Sequence, residues 1–118
     1  MQLELEIYRA RNGKEPFRTW YATLAADRRA FDAVTQRLDR LRAGNFGDCR
    51  RVGRQGSGPG VLELRIHMGP GYRIYCARVA MAAVLLLGGG TKRSQHKDIV
   101  KAQRRLADFR VRHRGKNT

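Results

Sequence analysis

An acid, two arginines and a histidine fall between residues 63 and 73. In Glu63-Leu-Arg-Ile-His67 the period of two turns Leu64 and Ile66 to one side and Glu63, Arg65 and His67 to the other. After Gly69-Pro-Gly71 a second run begins. If Tyr72, Ile74 and Cys76 face a core there, Arg73 and Tyr75 face away from it. A guanidinium fork can bond two oxygens of a phosphate, and His67 is the group among these that exchanges a proton near neutral pH. The plainer alternative is a solvated face on which Arg65 and Arg73 pair with Glu63 and His67 is a polar residue beside a turn.

The surroundings narrow the chemistry. Enzymes that cut phosphodiesters with Mg²⁺ gather carboxylates around it. Residues 44–118 hold four acids, Asp48, Glu63, Asp98 and Asp108, scattered along the chain. Neither Cys49 nor Cys76 joins a histidine at zinc-ligand spacing, and both read as small apolar core groups. Cleavage without metal or cofactor suits RNA, whose 2′-hydroxyl can attack its own phosphate and leave a 2′,3′-cyclic phosphate. The protein need only orient the backbone, move a proton and neutralise the phosphorane.

Charge points the same way. The chain carries 25 Lys+Arg against 10 Asp+Glu, a net +15. The excess is concentrated after residue 43, where sixteen basic residues face four acidic ones. Such an imbalance favours a polyanionic partner through counterion release. A second candidate cluster, Gly88-Gly-Gly-Thr-Lys-Arg-Ser-Gln-His-Lys97, crowds Lys92, Arg93, Gln95, His96 and Lys97 at the start of a helical pattern. There backbone N–H groups and the helix dipole favour phosphate. A capped strand followed by a solvated helix start is the alternative.

The elements that must position these groups follow from periodicity. Gln2–Tyr8 alternates and reads as a strand with Leu3, Leu5 and Ile7 inward. Pro16 opens a helix to about Ala25 with Phe17, Trp20, Tyr21 and Leu24 on its packing stripe. Asp27 caps a second helix carrying Phe31, Val34, Leu38 and Leu41, closed by Gly44, and the short link predicts an antiparallel helical hairpin. Cys49–Val52, Val61–His67, Tyr72–Arg78 and Ala82–Leu87 read as four strands of an antiparallel meander, with a flexible loop over Gly53–Gly60 and Gly88–Gly90 ending the last strand. From Ser94 a helix presents Ile99, Ala102, Leu106 and Phe109. The expectation is one α+β domain over 1–110 with the helices on one sheet face and the other face open, followed by a basic tail over 111–118. No apolar run approaches a membrane span, and the opening residues do not resemble a signal peptide, so the expected compartment is the cytoplasm.

Leu41-Arg-Ala-Gly-Asn-Phe-Gly-Asp48, Gly60-Val-Leu-Glu-Leu-Arg-Ile-His67, Gly69-Pro-Gly-Tyr-Arg-Ile-Tyr75 and Leu86-Leu-Gly-Gly…Lys92-x-Ser-Gln95-x-Lys-Asp-Ile99 together resemble the phage-type HigB, or addiction module killer, branch of the RelE/ParE toxins. The resemblance spans residues 1–110. It implies a RelE-like fold and the toxin of a type II toxin–antitoxin pair, a metal-independent mRNA endonuclease acting at the ribosomal A site. It also implies an antitoxin, in this branch a small helix-turn-helix protein. The implied catalytic positions are Arg65, Arg73 and Lys92, with His67 in a proton-transfer position. Arg50 or Arg51 takes the place of a basic residue on the preceding strand; with the cluster at Arg93, Gln95, His96 and Lys97 they are the expected RNA contacts. Where RelE carries a catalytic tyrosine near the last helix, this chain reads Ser94-Gln-His-Lys97. ParE relatives share the fold and poison DNA gyrase, so gyrase inhibition and non-catalytic nucleic-acid binding are the competing readings.

Overall fold

The computed structural model describes residues 2–53 and 60–114. Its sheet has five strands: β1 (Glu4–Ile7), β2 (Cys49–Val52), β3 (Val61–Ile66), β4 (Tyr72–Ala80) and β5 (Ala83–Thr91). They lie in the order β1-β5-β4-β3-β2, with β1 parallel to β5 and every other pair antiparallel. Among the described residues the α-helices are α1 (Pro16–Thr23), α2 (Arg28–Arg42) and α3 (Gln95–Arg112). The fold is α+β with a mixed sheet. The expected loop over 53–60 lies, from 54 to 59, outside the described residues.

Local chemistry accounts for the helix bounds. Pro16 sits in the first turn of α1, and a 3-10 turn over Leu24–Ala26 leads to α2. The Asp27 carboxylate accepts from Arg29 N at 3.1 Å and Ala30 N at 3.3 Å, satisfying two donors that the first turn leaves open. Gly44, at φ +91°, closes α2 by donating to Leu41 O at 2.9 Å. Tyr21 stacks between Phe17 and Phe31 and bonds the Thr35 hydroxyl, joining α1 to α2.

The helices cover both faces of the sheet, which corrects the expectation of a single covered face. Phe17, Val34, Leu38 and Leu41 pack on Leu64, Ile74, Cys76, Val84 and Leu86. On the opposite face Ala102 and Leu106 of α3 pack on Val61, Tyr75, Ala77, Leu85 and Leu87. The reason lies in β5. Val84-Leu-Leu-Leu87 is apolar at both parities, and each face of that strand needs its own cover. Strand β5 also runs on through Gly88–Gly90, where an end was expected. Bare backbone there admits close approach. A Cβ at Gly89 would overlap the Trp20 ring, and one at Gly90 would overlap the Asp98 carboxylate.

Helix α3 extends to Arg112, two residues past the expected domain limit. Arg112 is tied back by donating to Arg9 O at 2.6 Å and to Asp108 Oδ2 at 2.7 Å. Residues 115–118 of the expected tail lie outside the described residues. Both cysteines are free, and burial pushes the Cys76 thiol up to about 12. No helix among the described residues is long and apolar enough to cross a membrane.

Candidate functional site

Two rows of polar side chains cross the sheet on the α3 face. Register pairs Arg50 with Glu63, Glu63 with Tyr75, and Tyr75 with Gly88. One step along, Arg65 pairs with Arg73 and Arg73 with Gly90. Directly opposed residues share a face, so three arginines meet across β2, β3 and β4. The second row extends past the end of β2, because Arg65 N donates to Asp48 O at 3.0 Å.

Glu63 is the centre of the first row and is fully buried. Its carboxylate accepts from Arg50 Nε at 3.3 Å, Tyr75 hydroxyl at 3.1 Å and Gln95 Nε2 at 2.9 Å, and Arg73 Nε stands 3.7 Å away. A carboxylate removed from water needs such a set of donors. Burial, and then the Glu63 charge, hold the Tyr75 phenol far above its usual range, so it serves here as a fixed neutral donor. Of the two arginines that the plainer reading would pair with Glu63, only Arg73 goes there.

Arg65 turns instead to Asp48. Its Nη2 donates to Asp48 Oδ1 at 2.8 Å, while His67 Nε2 lies 2.6 Å from Oδ2. These two hydrogen bonds, His67 first and Arg65 second, hold the Asp48 carboxyl below the usual carboxylate range. An ionised carboxylate only accepts, which puts the imidazole proton on Nε2 and leaves Nδ1 as the basic atom.

The Asp48–Arg65 junction rests on Arg37 of α2. This guanidinium is 7% exposed and donates to Arg65 O at 2.6 Å, Phe46 O at 2.8 Å and Asp48 O at 2.7 Å. Burial lowers its pKa. Gly47, at φ +62°, lets the chain pass the guanidinium, since a Cβ there would stand 2.9 Å from Arg37 Nη2. Arg37, Arg40, Asn45, Asp48, Arg65 and His67 line a cleft of about 330 Å³ beside α2.

Among known proteins, an uncharacterized protein of Haemophilus influenzae is 40% identical over 87 residues, which cover 74% of this chain and 82% of that protein. The chain belongs to that protein's family. No family model matches the chain, and neither does any solved structure. Membership in this family brings no activity with it, so function is argued from the site.

Arg50, Arg65 and Arg73 occupy neighbouring positions on one face, and His67, just past the end of β3, joins Arg65 through Asp48. Lys92 stands at their rim. Its N–H donates to Gly71 O at 2.8 Å, and a Cβ on Gly71 would lie 3.5 Å from Lys92 Cβ and 3.0 Å from Arg73 Nη1. Gln95 is spent on Glu63 and anchors the start of α3. Arg93, His96 and Lys97 are exposed on the 3-10 turn Lys92–Ser94 and the first turn of α3. Arg51 pairs with Leu62 and belongs to the other face, its guanidinium against Gly60.

Asp48 and Arg37 are site residues that the sequence reading passed over. Arg37 had a visible signal, because it falls three residues after Val34 and four before Leu41, on the buried stripe of α2. A charged residue there needs an internal partner.

Proposed function

We propose that this protein is the toxin of a type II toxin–antitoxin pair and cleaves messenger RNA without a metal ion. The observation that carries the reading is the cross-strand pair of Arg65 and Arg73 beside the Asp48–His67 couple. Both arginines keep a buried Nε–H with no hydrogen-bond partner. Those Nε atoms are shut off from solvent, so a phosphodiester would meet the Nη–H donors that Arg65 and Arg73 have beyond those spent on Asp48 and Gly71 O.

The 2′-oxygen of the RNA attacks the adjacent phosphorus, its proton passing to His67 Nδ1. Arg65 and Arg73 neutralise the phosphorane, with Lys92 at the rim. The P–O5′ bond breaks, the 5′-oxygen takes a proton from solvent, and the products are a 2′,3′-cyclic phosphate and a 5′-hydroxyl. Asp48 keeps the imidazole in the tautomer that can accept. The ribosomal A site as the place of cleavage and a helix-turn-helix antitoxin as the partner rest on the resemblance to RelE-type toxins.

The test is a translation extract given purified protein and a defined message. Discrete 2′,3′-cyclic phosphate ends on translated message, absent with Arg73→Ala, are the expected result. Intact message together with gyrase-dependent double-strand breaks in cells would replace this reading with gyrase inhibition. Intact message with salt-sensitive RNA binding would reduce it to binding alone.

A further inference from the structure

The cleft of about 330 Å³ beside α2 shares two residues, Arg65 and His67, with the groove where cleavage is placed. Its acceptors are largely taken. Arg65 and His67 hold the two oxygens of the Asp48 carboxylate, and the carbonyls of Phe46, Asp48 and Arg65 accept from Arg37. The Asn45 side-chain oxygen accepts from Gly47 N at 2.9 Å.

Its donors are not taken. The Asn45 amide nitrogen is left over once the oxygen is spent. Neither the Gln36 amide nor the Arg40 guanidinium makes a hydrogen bond or ion pair among the described residues. Gln36 and Arg40 stand one turn apart on α2, and both are exposed.

Charge selects in the same direction. Arg37, Arg40 and Arg65 line the cleft against one carboxylate, Asp48. The neighbouring acids of α2, Asp32 and Asp39, do not line it and hold Arg28 and Arg42. A walled space with spare N–H donors, spent acceptors and an excess of cations takes an oxyanion. Because the cleft opens onto a groove read as holding a phosphodiester, that oxyanion is the next phosphate of the same strand.

His67 gives the strand its direction. The nucleotide whose 2′-hydroxyl attacks lies against His67, with the scissile phosphate on its 3′ side at Arg65 and Arg73. The cleft begins at His67 on the side away from Lys92, so it meets the 5′ side of that nucleotide. We infer that the cleft is a second phosphate subsite, in which Arg40, Gln36 and the Asn45 amide hold the phosphate 5′ to the attacking nucleotide. This subsite rests on the cleavage reading above and gives the bound RNA a polarity.

The probe is a dinucleotide of adenosine whose first sugar lacks the 2′-hydroxyl and so cannot be cut. It is titrated into isotope-labelled full chain with and without a 5′-phosphate, and amide shifts give the affinity. The 5′-phosphate should tighten binding about tenfold, the worth of one charge-assisted contact, and add shifts at Gln36, Arg40 and Asn45. Arg40→Ala should bring the two dinucleotides to equal affinity, and Arg40→Lys should restore part of the difference. Shifts at Arg65 and Arg73 without shifts at Gln36 and Arg40, or a gain that survives Arg40→Ala, would overturn the subsite and leave the cleavage reading standing. A dinucleotide that shifts neither set would overturn both. AMP binding as tightly as the 5′-phosphorylated dinucleotide would make the cleft a mononucleotide site and overturn its assignment to the RNA strand.

Discussion

Removing the Arg37 guanidinium tests whether the site depends on α2. Arg37→Met keeps most of the side-chain volume and deletes three hydrogen bonds of 2.6–2.8 Å from a charged donor to main-chain carbonyls. Bonds to charged groups contribute about 1.5–3 kcal/mol each. Part of that is returned because a buried cation no longer has to be desolvated, and water can reach the exposed Asp48 segment. The net loss should be about 3 kcal/mol, which in a chain of 118 residues lowers Tm by roughly 10 °C. Circular dichroism melting measures it. Two of the three carbonyls belong to Asp48 and Arg65, so the acidic limb of the cleavage pH profile should flatten as well, because His67 loses a fixed partner. Arg37→Lys, keeping the charge with a single ammonium, should recover part of the melting loss and little of the pH profile. A methionine variant that melts within about 2 °C of wild type with an unchanged profile would refute the argument.

Arg73→Ala should lower cleavage at least about a hundredfold, the usual cost of removing a donor from a developing oxyanion, with the fold checked by circular dichroism; unchanged cutting removes Arg73 from the site. His67→Gln should abolish the acidic limb of the pH–rate profile, and Asp48→Asn should reduce the rate by releasing the imidazole tautomer; a profile identical to wild type in both removes proton transfer from His67. Asp108, held down to about 2 first by the Tyr8 hydroxyl and then by Arg112 and Arg11, contributes stability that is present above the ordinary carboxyl range and lost as pH falls from about 4 towards 2. Acid titration of Trp20 fluorescence should therefore show wild type losing stability across that window and Asp108→Asn, which starts less stable, losing less of it, and a superimposable titration of the variant would contradict it.

Much of this architecture was legible because it is written in periodicity. The cap at Asp27, the closing Gly44 and strand β2 over Cys49–Val52 fall where local patterns place them. The place of α3 was not legible, although its cause was. Val84-Leu-Leu-Leu87 shows that a second face must be covered, but periodicity does not say by which helix. The glycines decide that in space, since Gly88 and Gly90 leave room for Arg105, Ser94 and Asp98 of the α3 region against β5. At the site, strand alternation reveals Arg65 and Arg73 on one face. It does not reveal which acid each will hold, because Asp48 and Glu63 are set by cross-strand register. Arg37 was hidden differently, by the habit of reading an arginine on a helix as solvated.

Register also explains how so many cations can share one face. Arg65 stands directly opposite Arg73, and Arg50 lies one row away. Like charges so placed oppose folding. Glu63 between Arg50 and Arg73, and Asp48 on Arg65, cancel two of the three charges. What is left of the three is a single positive charge, to which Lys92 at the rim adds a second. A replacement that neutralises Glu63, such as Glu63→Gln, leaves the volume nearly unchanged and raises the charge of the site by one. It should therefore bind RNA with a steeper salt dependence while melting at a lower temperature. Tighter, more salt-sensitive binding without loss of stability would mean that Glu63 does not hold the arginines together. A lower melting temperature with the salt slope unchanged would mean that the arginines it holds do not meet the phosphate.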